Sequence, residues 1–304
     1  MASLRKLPPG PIPAEPQAGA SGHHGPRVAP RLAALRCYFN WLALEGLPDF
    51  PAGPLRAIRD AGYHGVQFIQ PLAASLVEEA RAVGLGVCGS GRVNEPGEAD
   101  TLAAEARAAG LECLTLHVGW GTEDDDEAAR LIAAVLEASA RHGVPLYPET
   151  HRATLFQDMW RTVRFLDRFP ELRFNGDFSH WYTGLEMVYG GFEKKLAFIR
   201  PVLERVRFLH GRIGNPGSIQ VDIGDGDAGR QPYVAHFRAL WKAAFAGFLR
   251  SAAPGDAICF TPELLAPRIY YARTFEGREE GDRWRQSLVL RRIAEECFAE
   301  AKAE

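Results

Sequence analysis

From residue 32 onward the chain alternates short β-rich apolar runs with longer stretches of helical period, and it does so eight times. The strand candidates are 32–39 (LAALRCYF), 65–69 (GVQFI), 84–89 (GLGVCG), 113–118 (CLTLHV), 144–149 (VPLYPE), 172–178 (LRFNGDF), 206–213 (VRFLHGRI) and 257–264 (AICFTPEL). The clearest helical pattern, 126–143, puts Leu131, Ile132, Val135, Leu136 and Ser139 on one face and stops at Gly143; others lie at 156–169, 236–250 and 282–301. Strands separated by helices pair in parallel through crossovers. Eight such units within residues 31–304 match the size and count of a single (β/α)8 barrel, with a doubly wound sheet as the alternative. The barrel is favoured because Gly62, Gly84, Gly110 and Gly143 each fall between a helix and the next strand, as in one unit copied round a ring. The Gly/Asp-rich stretch 214–233 is read as an extended loop over the top, where loops of such length are usually functional.

Residues 1–30 stand apart. Seven Pro and four Gly with no apolar periodicity give the expectation of a disordered tail, in which His23 and His24 are simply solvated. Prolines interrupt any secretory core after Arg5 and Lys6, so export is not expected. Cys37, Cys88, Cys113, Cys259 and Cys297 are widely spaced in apolar stretches and read as small buried hydrophobes of a reducing, cytoplasmic compartment. No apolar run is long enough to cross a bilayer, so no membrane partner is expected. With 35 Lys+Arg against 38 Asp+Glu, no strong field steers a polyanion, and no nucleic-acid partner is expected.

Barrel enzymes place their reacting groups at the C-terminal ends of strands. Polar residues at those positions are His117, Glu149, Asp177, His180, His210, Arg212 and Glu263. The intervals Glu149–Asp177 and Asp177–His210 each match one βα unit, and His210–Glu263 is lengthened by the Gly/Asp loop. Three carboxylates and an imidazole at one mouth repel and desolvate one another unless a cation joins them. Their mixed oxygen and nitrogen ligation suits one divalent ion, Mn²⁺, Mg²⁺, Co²⁺ or Zn²⁺. His180, three residues after Asp177, is expected to contact substrate. His151 faces the site or bonds to backbone, and His117 binds substrate or a second metal. Trp41, Trp120, Trp181, Tyr270 and Tyr271 follow strand ends, where aromatic faces stack on sugars or pack the rim. No GxGxxG or P-loop pattern marks a nucleotide cofactor.

The blocks PETHRATLF, NGDFSHW, LHGRIG followed by IQV, and TPELLAPRIYY resemble those of the xylose isomerase-like TIM barrels, over most of the chain after about residue 30. That superfamily includes sugar and sugar-phosphate isomerases and epimerases, 3-keto-glycoside β-eliminases and abasic-site endonucleases. The ketose 3-epimerase branch implies one metal on Glu149, Asp177, His210 and Glu263, with His180 and Arg212 contacting substrate. Glu149 and Glu263 would then be the acid/base pair of an epimerase or isomerase that forms an enediolate from a small sugar, keto-sugar or cyclitol. The eliminases begin with the same proton loss α to a carbonyl. The endonucleases, metal-dependent phosphodiesterases, carry three zinc ions, with an extra His on the second strand and an Asp-x-His pair after the seventh. Here the second strand ends in IQP (69–71), and Gly224 stands where that second His is needed. The loop after His210 also departs from the epimerases, and Gln220 is expected as an additional polar group of the site. Homo-oligomers are common among such proteins, although no sequence feature locates an interface.

Overall fold

A computed structural model of the chain describes residues 33–229 and 232–304. The expected tail at 1–30, with His23 and His24, lies outside the described residues. Eight parallel strands form the sheet: β1 (Ala34–Asn40), β2 (Gly65–Ile69), β3 (Gly86–Val93), β4 (Leu114–Val118), β5 (Leu146–Pro148), β6 (Phe174–Gly176), β7 (Val206–Gly211) and β8 (Ala257–Pro262). Their order is β5-β4-β3-β2-β1-β8-β7-β6, and the remaining gap is bridged where Glu149 pairs with Asn175 in parallel register. The ring is therefore a (β/α)8 barrel, and the doubly wound alternative falls away.

Helices α1 (Pro54–Asp60), α2 (Ala74–Ala82), α3 (Pro96–Ala108), α4 (Asp125–His142) and α5 (Met159–Arg168) carry the first five connections. The sixth is divided among α6 (Phe178–Gly184), α7 (Phe192–Phe198) and α8 (Arg200–Leu203); α9 (Pro232–Ser251) carries the seventh and α10 (Arg283–Ala303) follows β8. Capping explains where they begin. Asp124 accepts from the amides of Asp126 and Glu127 and sits in a capping box with Glu127, while Gly143 ends α4 with φ 64°. Asp158 caps α5, so that helix starts at residue 159 rather than 156. Gly62, Gly84 and Gly110 take φ of 86°, 82° and 64° between helix and strand, as their spacing predicts. Because Gly84 still belongs to that turn, β3 begins at Gly86, and pairing of Arg92 with His117 and Val93 with Val118 carries it past the predicted end at 89.

The main core lies between strands and helices. A second, inside the ring, gathers Tyr38, Cys88, Cys113, Phe208 and Cys259, with Tyr147 against them. All five cysteines are buried free thiols, in line with their sequence contexts, and burial pushes the Cys37 thiol up to about 12. Arg36 and Tyr38 both reach Glu112 below this layer. Among the described residues no helix is long and apolar enough to cross a membrane.

Candidate active site

Inward side chains of a barrel strand recur at every second residue, so each strand contributes a column of layers. Above the cysteine layer that column turns polar: Asn40 on β1, Gln67 on β2, Thr115 on β4, Asn175 on β6, His210 on β7 and Thr261 on β8 are all buried. Gln67 ties this layer together. Its Nε2 donates to Thr115 Oγ1 at 2.9 Å, and its Oε1 faces Asn40 Nδ2 at 3.3 Å and His210 Nε2 at 3.0 Å. Asn175 Nδ2 donates to Glu149 Oε2 at 2.9 Å and lies 3.1 Å from His210 Nδ1. Apart from His210, these belt residues were not among the sequence candidates. Their signal is parity, since Thr115, Asn175 and His210 each stand two residues before His117, Asp177 and Arg212.

On this belt rests the predicted quartet. One ligand atom each from Glu149, Asp177, His210 and Glu263 lies within 4.8 Å of the others. His210 Nδ1 is the hub, 3.2 Å from Glu149 Oε2 and 3.5 Å from Glu263 Oε1. Asn40 Nδ2 steadies Glu263 Oε1 at 3.2 Å. Asp177 ends β6 and caps α6, its Oδ1 accepting from the Ser179 amide at 3.0 Å and hydroxyl at 2.6 Å. Arg212 pairs with Asp177 Oδ2 and sits 3.0 Å from Glu263 Oε2.

Burial raises the Glu149 carboxyl, yet the His210 and His117 imidazoles outweigh it and hold the group well below the usual carboxylate range. For Asp177, Arg212 and His180 overcome burial in the same way. Glu263 is raised, because burial exceeds what His210 and Arg212 give back. Burial would lower His210, but Glu263 and Glu149 lift it to about 9.

The quartet suits a divalent cation. Ligands at about 2.0–2.2 Å from one ion lie within about 4.4 Å of each other, so the four atoms need close in by only a few tenths of an ångström. Glu149 Oε1 is buried without a hydrogen-bond partner. A ligating imidazole commonly donates through its other nitrogen to an oxygen, and His210 has Gln67 Oε1 in that place. The hard oxygen-rich donor set fits Mn²⁺, Mg²⁺, Co²⁺ or Zn²⁺.

His180, fully buried, stands 3.4 Å from Asp177 Oδ2 through Nε2, and its Nδ1 is unpartnered. His117, His151 and His180 follow one another in a tilted stack, with ring centroids 4.0 and 3.8 Å apart and planes 37° and 46° from parallel. His117 Nε2 reaches Glu149 Oε2 at 3.5 Å; Arg92, from the end of β3, approaches its Nδ1 at 3.3 Å. His151 does both things its position allowed, joining the stack while its Nδ1 bonds the Arg152 carbonyl. Burial and the neighbouring His180 lower it to about 2. Tyr271 covers the group, 3.3 Å from His151 Nε2 and with Arg212 over its ring at 4.6 Å.

Two expected site residues are placed elsewhere. Gln220 spends both ends of its amide on Leu265, accepting from its N–H at 2.9 Å and donating to its carbonyl at 3.0 Å. It braces the segment leading to Tyr271 instead of facing the mouth. Trp181 is fully buried and donates through Nε1 to the Phe156 carbonyl at 2.9 Å, so it is core between α6 and the barrel. The other aromatic candidates divide: Trp41 packs on Phe68, whereas Trp120 and Tyr270 are exposed.

No protein-family model matches the chain, and no curated protein does. Solved structures do match its fold. An L-ribulose 3-epimerase aligns over 88% of this chain and 96% of its own, at 13% identity and a TM-score of 0.55. A probable 3-DHS dehydratase from Bacillus anthracis aligns over 85% and 97%, at 12% identity and 0.54. A xylose isomerase-like TIM barrel protein from Mycobacterium smegmatis, in complex with magnesium, aligns over 87% and 98%, at 17% identity and 0.51. The fold is therefore that of the xylose isomerase-like barrels, as the sequence blocks imply.

Proposed function

We propose that the protein is a divalent-metal-dependent isomerase or epimerase that removes and returns a proton α to a carbonyl of a small sugar, keto-sugar or cyclitol. The observation that carries this reading is the placement of Glu149 and Glu263. They come from β5 and β8, with two strands between them in the ring, and approach the same His210 nitrogen at 3.2 and 3.5 Å. Two carboxylates brought to one small mouth from different strands suit proton removal from one side of a carbon and delivery to the other.

When bound to Glu149, Asp177, His210 and Glu263, the cation would polarise the substrate carbonyl and offset the negative charge that develops beside it. His180 and Arg212 supply donors for substrate oxygens, each having one buried, unpartnered nitrogen, Nδ1 and Nη1. Tyr271 and the histidine stack keep water from the reacting carbon. Glu149 and His210 are each 1% exposed, and within the quartet Glu263 alone is partly open, at 13%.

The test is a panel of keto-sugars and cyclitols incubated in deuterated water with Mn²⁺ and read by mass gain. Glu149→Gln and Glu263→Gln should each cut exchange by about 10²–10⁴-fold, the usual contribution of a positioned acid or base, with the folded signal retained. Undiminished exchange in Glu263→Gln would remove it from the reaction.

A further inference from the structure

Asp177 has little carboxylate to spare for a cation. Both donors of Ser179 lie on its Oδ1, and Arg212 Nη2 lies on Oδ2. The same guanidinium nitrogen is 3.0 Å from Glu263 Oε2, and Arg212 Nε donates to Ser179 Oγ at 3.0 Å. One fully buried arginine thus spans two of the four residues that would hold the ion. A divalent ion at ligand distance from Asp177 Oδ2 would stand within about 5 Å of that nitrogen. At such a separation a full positive charge opposes the ion even where the effective dielectric is high.

We propose that Arg212 is the resident counter-ion of this site, holding one oxygen each of Asp177 and Glu263, two of the carboxylates a divalent cation would use, so that guanidinium and cation compete and Arg212 sets how tightly the cation is held. The proposal rests on the cation-site reading above. Competition also links cation entry to substrate capture: a guanidinium released from two carboxylates has donors free for a substrate oxygen. Tyr271, whose ring lies 4.6 Å from the guanidinium carbon, gives the released cation a face to rest on.

The test is a Mn²⁺ titration of the wild-type protein, Arg212→Gln and Arg212→Lys, with free Mn²⁺ counted by electron paramagnetic resonance and melting recorded with and without the ion. Arg212→Gln should bind Mn²⁺ at least about tenfold more tightly. It should also melt below wild type without the ion and gain more from adding it. Arg212→Lys keeps the charge, but a single ammonium lacks the planar fork that spans two carboxylates; its affinity should fall between the two, and it carries the test if the glutamine variant does not fold. Equal or weaker Mn²⁺ binding in the folded variants overturns the competition and leaves the cation site standing. No Mn²⁺ uptake by the wild type or the folded variants overturns the cation site and the proposal with it.

Discussion

Gln67 is the residue on which the polar belt is most exposed to challenge. Replacing it by Leu keeps most of the volume at a position 1% exposed but removes three hydrogen bonds. Asn40 keeps a partner in Glu263, whereas His210 Nε2 and Thr115 Oγ1 each lose the only partner described for them. A buried polar group left unpaired costs about 1–3 kcal/mol, so the substitution should destabilise by about 2–6 kcal/mol. At about 2–4 °C per kcal/mol, melting should fall by about 4–24 °C. The functional effect is separable from that loss. Without the oxygen that orients its far nitrogen, His210 should hold Mn²⁺ about 10–100-fold more weakly, the usual effect of removing such a support. Gln67→Glu restores an acceptor to His210 and should recover most of the affinity. Scanning calorimetry and Mn²⁺ titration on the two variants give the answer. Wild-type affinity in Gln67→Leu, or equal loss in Gln67→Glu, would refute the assignment of Gln67 as the group that orients His210.

Gln220→Ala frees the Leu265 backbone and loosens the segment that carries Tyr271; KM for the substrate found in the exchange screen should rise several-fold while Mn²⁺ affinity stays unchanged. Gly211→Ala places a methyl 2.1 Å from the Phe260 ring between His210 and Arg212. Overpacking of that kind costs about 1–3 kcal/mol, and because strand β7 has to shift to relieve it, calorimetry should show lower melting and Mn²⁺ titration a weaker site. Trp181→Phe gives up one buried hydrogen bond, worth about 1 kcal/mol, and should lower melting slightly with kcat/KM unaltered.

The fold was legible because crossover helices and their closing glycines repeat, and periodicity reads repeats well. The quartet was legible for a related reason: strand ends are fixed points in a barrel, and a carboxylate ending an apolar strand stands out against its neighbours. The belt beneath was not. Gln67 sits in GVQFI and Thr115 in CLTLHV, where one polar residue inside an apolar run reads as an ordinary strand irregularity. Its meaning appears only when closure of the ring brings β2, β4 and β7 face to face. Gln220 and Trp181 failed in the opposite sense. Both lie near strand ends in sequence, but the loop after β7 turns Gln220 onto Leu265, and the first turn of α6 sends Trp181 into the core. Proximity along the chain to a strand end places the backbone near the mouth and leaves the side-chain direction to local geometry.

Hydrogen-bond direction also favours the proposed proton transfer over hydrolysis by several ions. His117, Glu149 and His151 form a second group of ligand-capable residues beside the quartet. A guanidinium only donates, so Arg92 Nη2, 3.3 Å from His117 Nδ1, makes that nitrogen the acceptor and leaves the ring proton on Nε2. The protonated Nε2 faces Glu149 Oε2 at 3.5 Å and acts as a donor to it. In His151 the Arg152 carbonyl draws the proton to Nδ1, and the Tyr271 hydroxyl lies at Nε2. Neither ring presents a free lone pair, and a second ion would have to displace both Arg92 and Tyr271. Gly224, whose amide bonds Asp222 Oδ1 at 2.7 Å, has no side chain with which to complete a third. Glu149 is thereby left with Oε2 among donors and Oε1 unpartnered, the arrangement that the proposed proton transfer beside one cation asks of it.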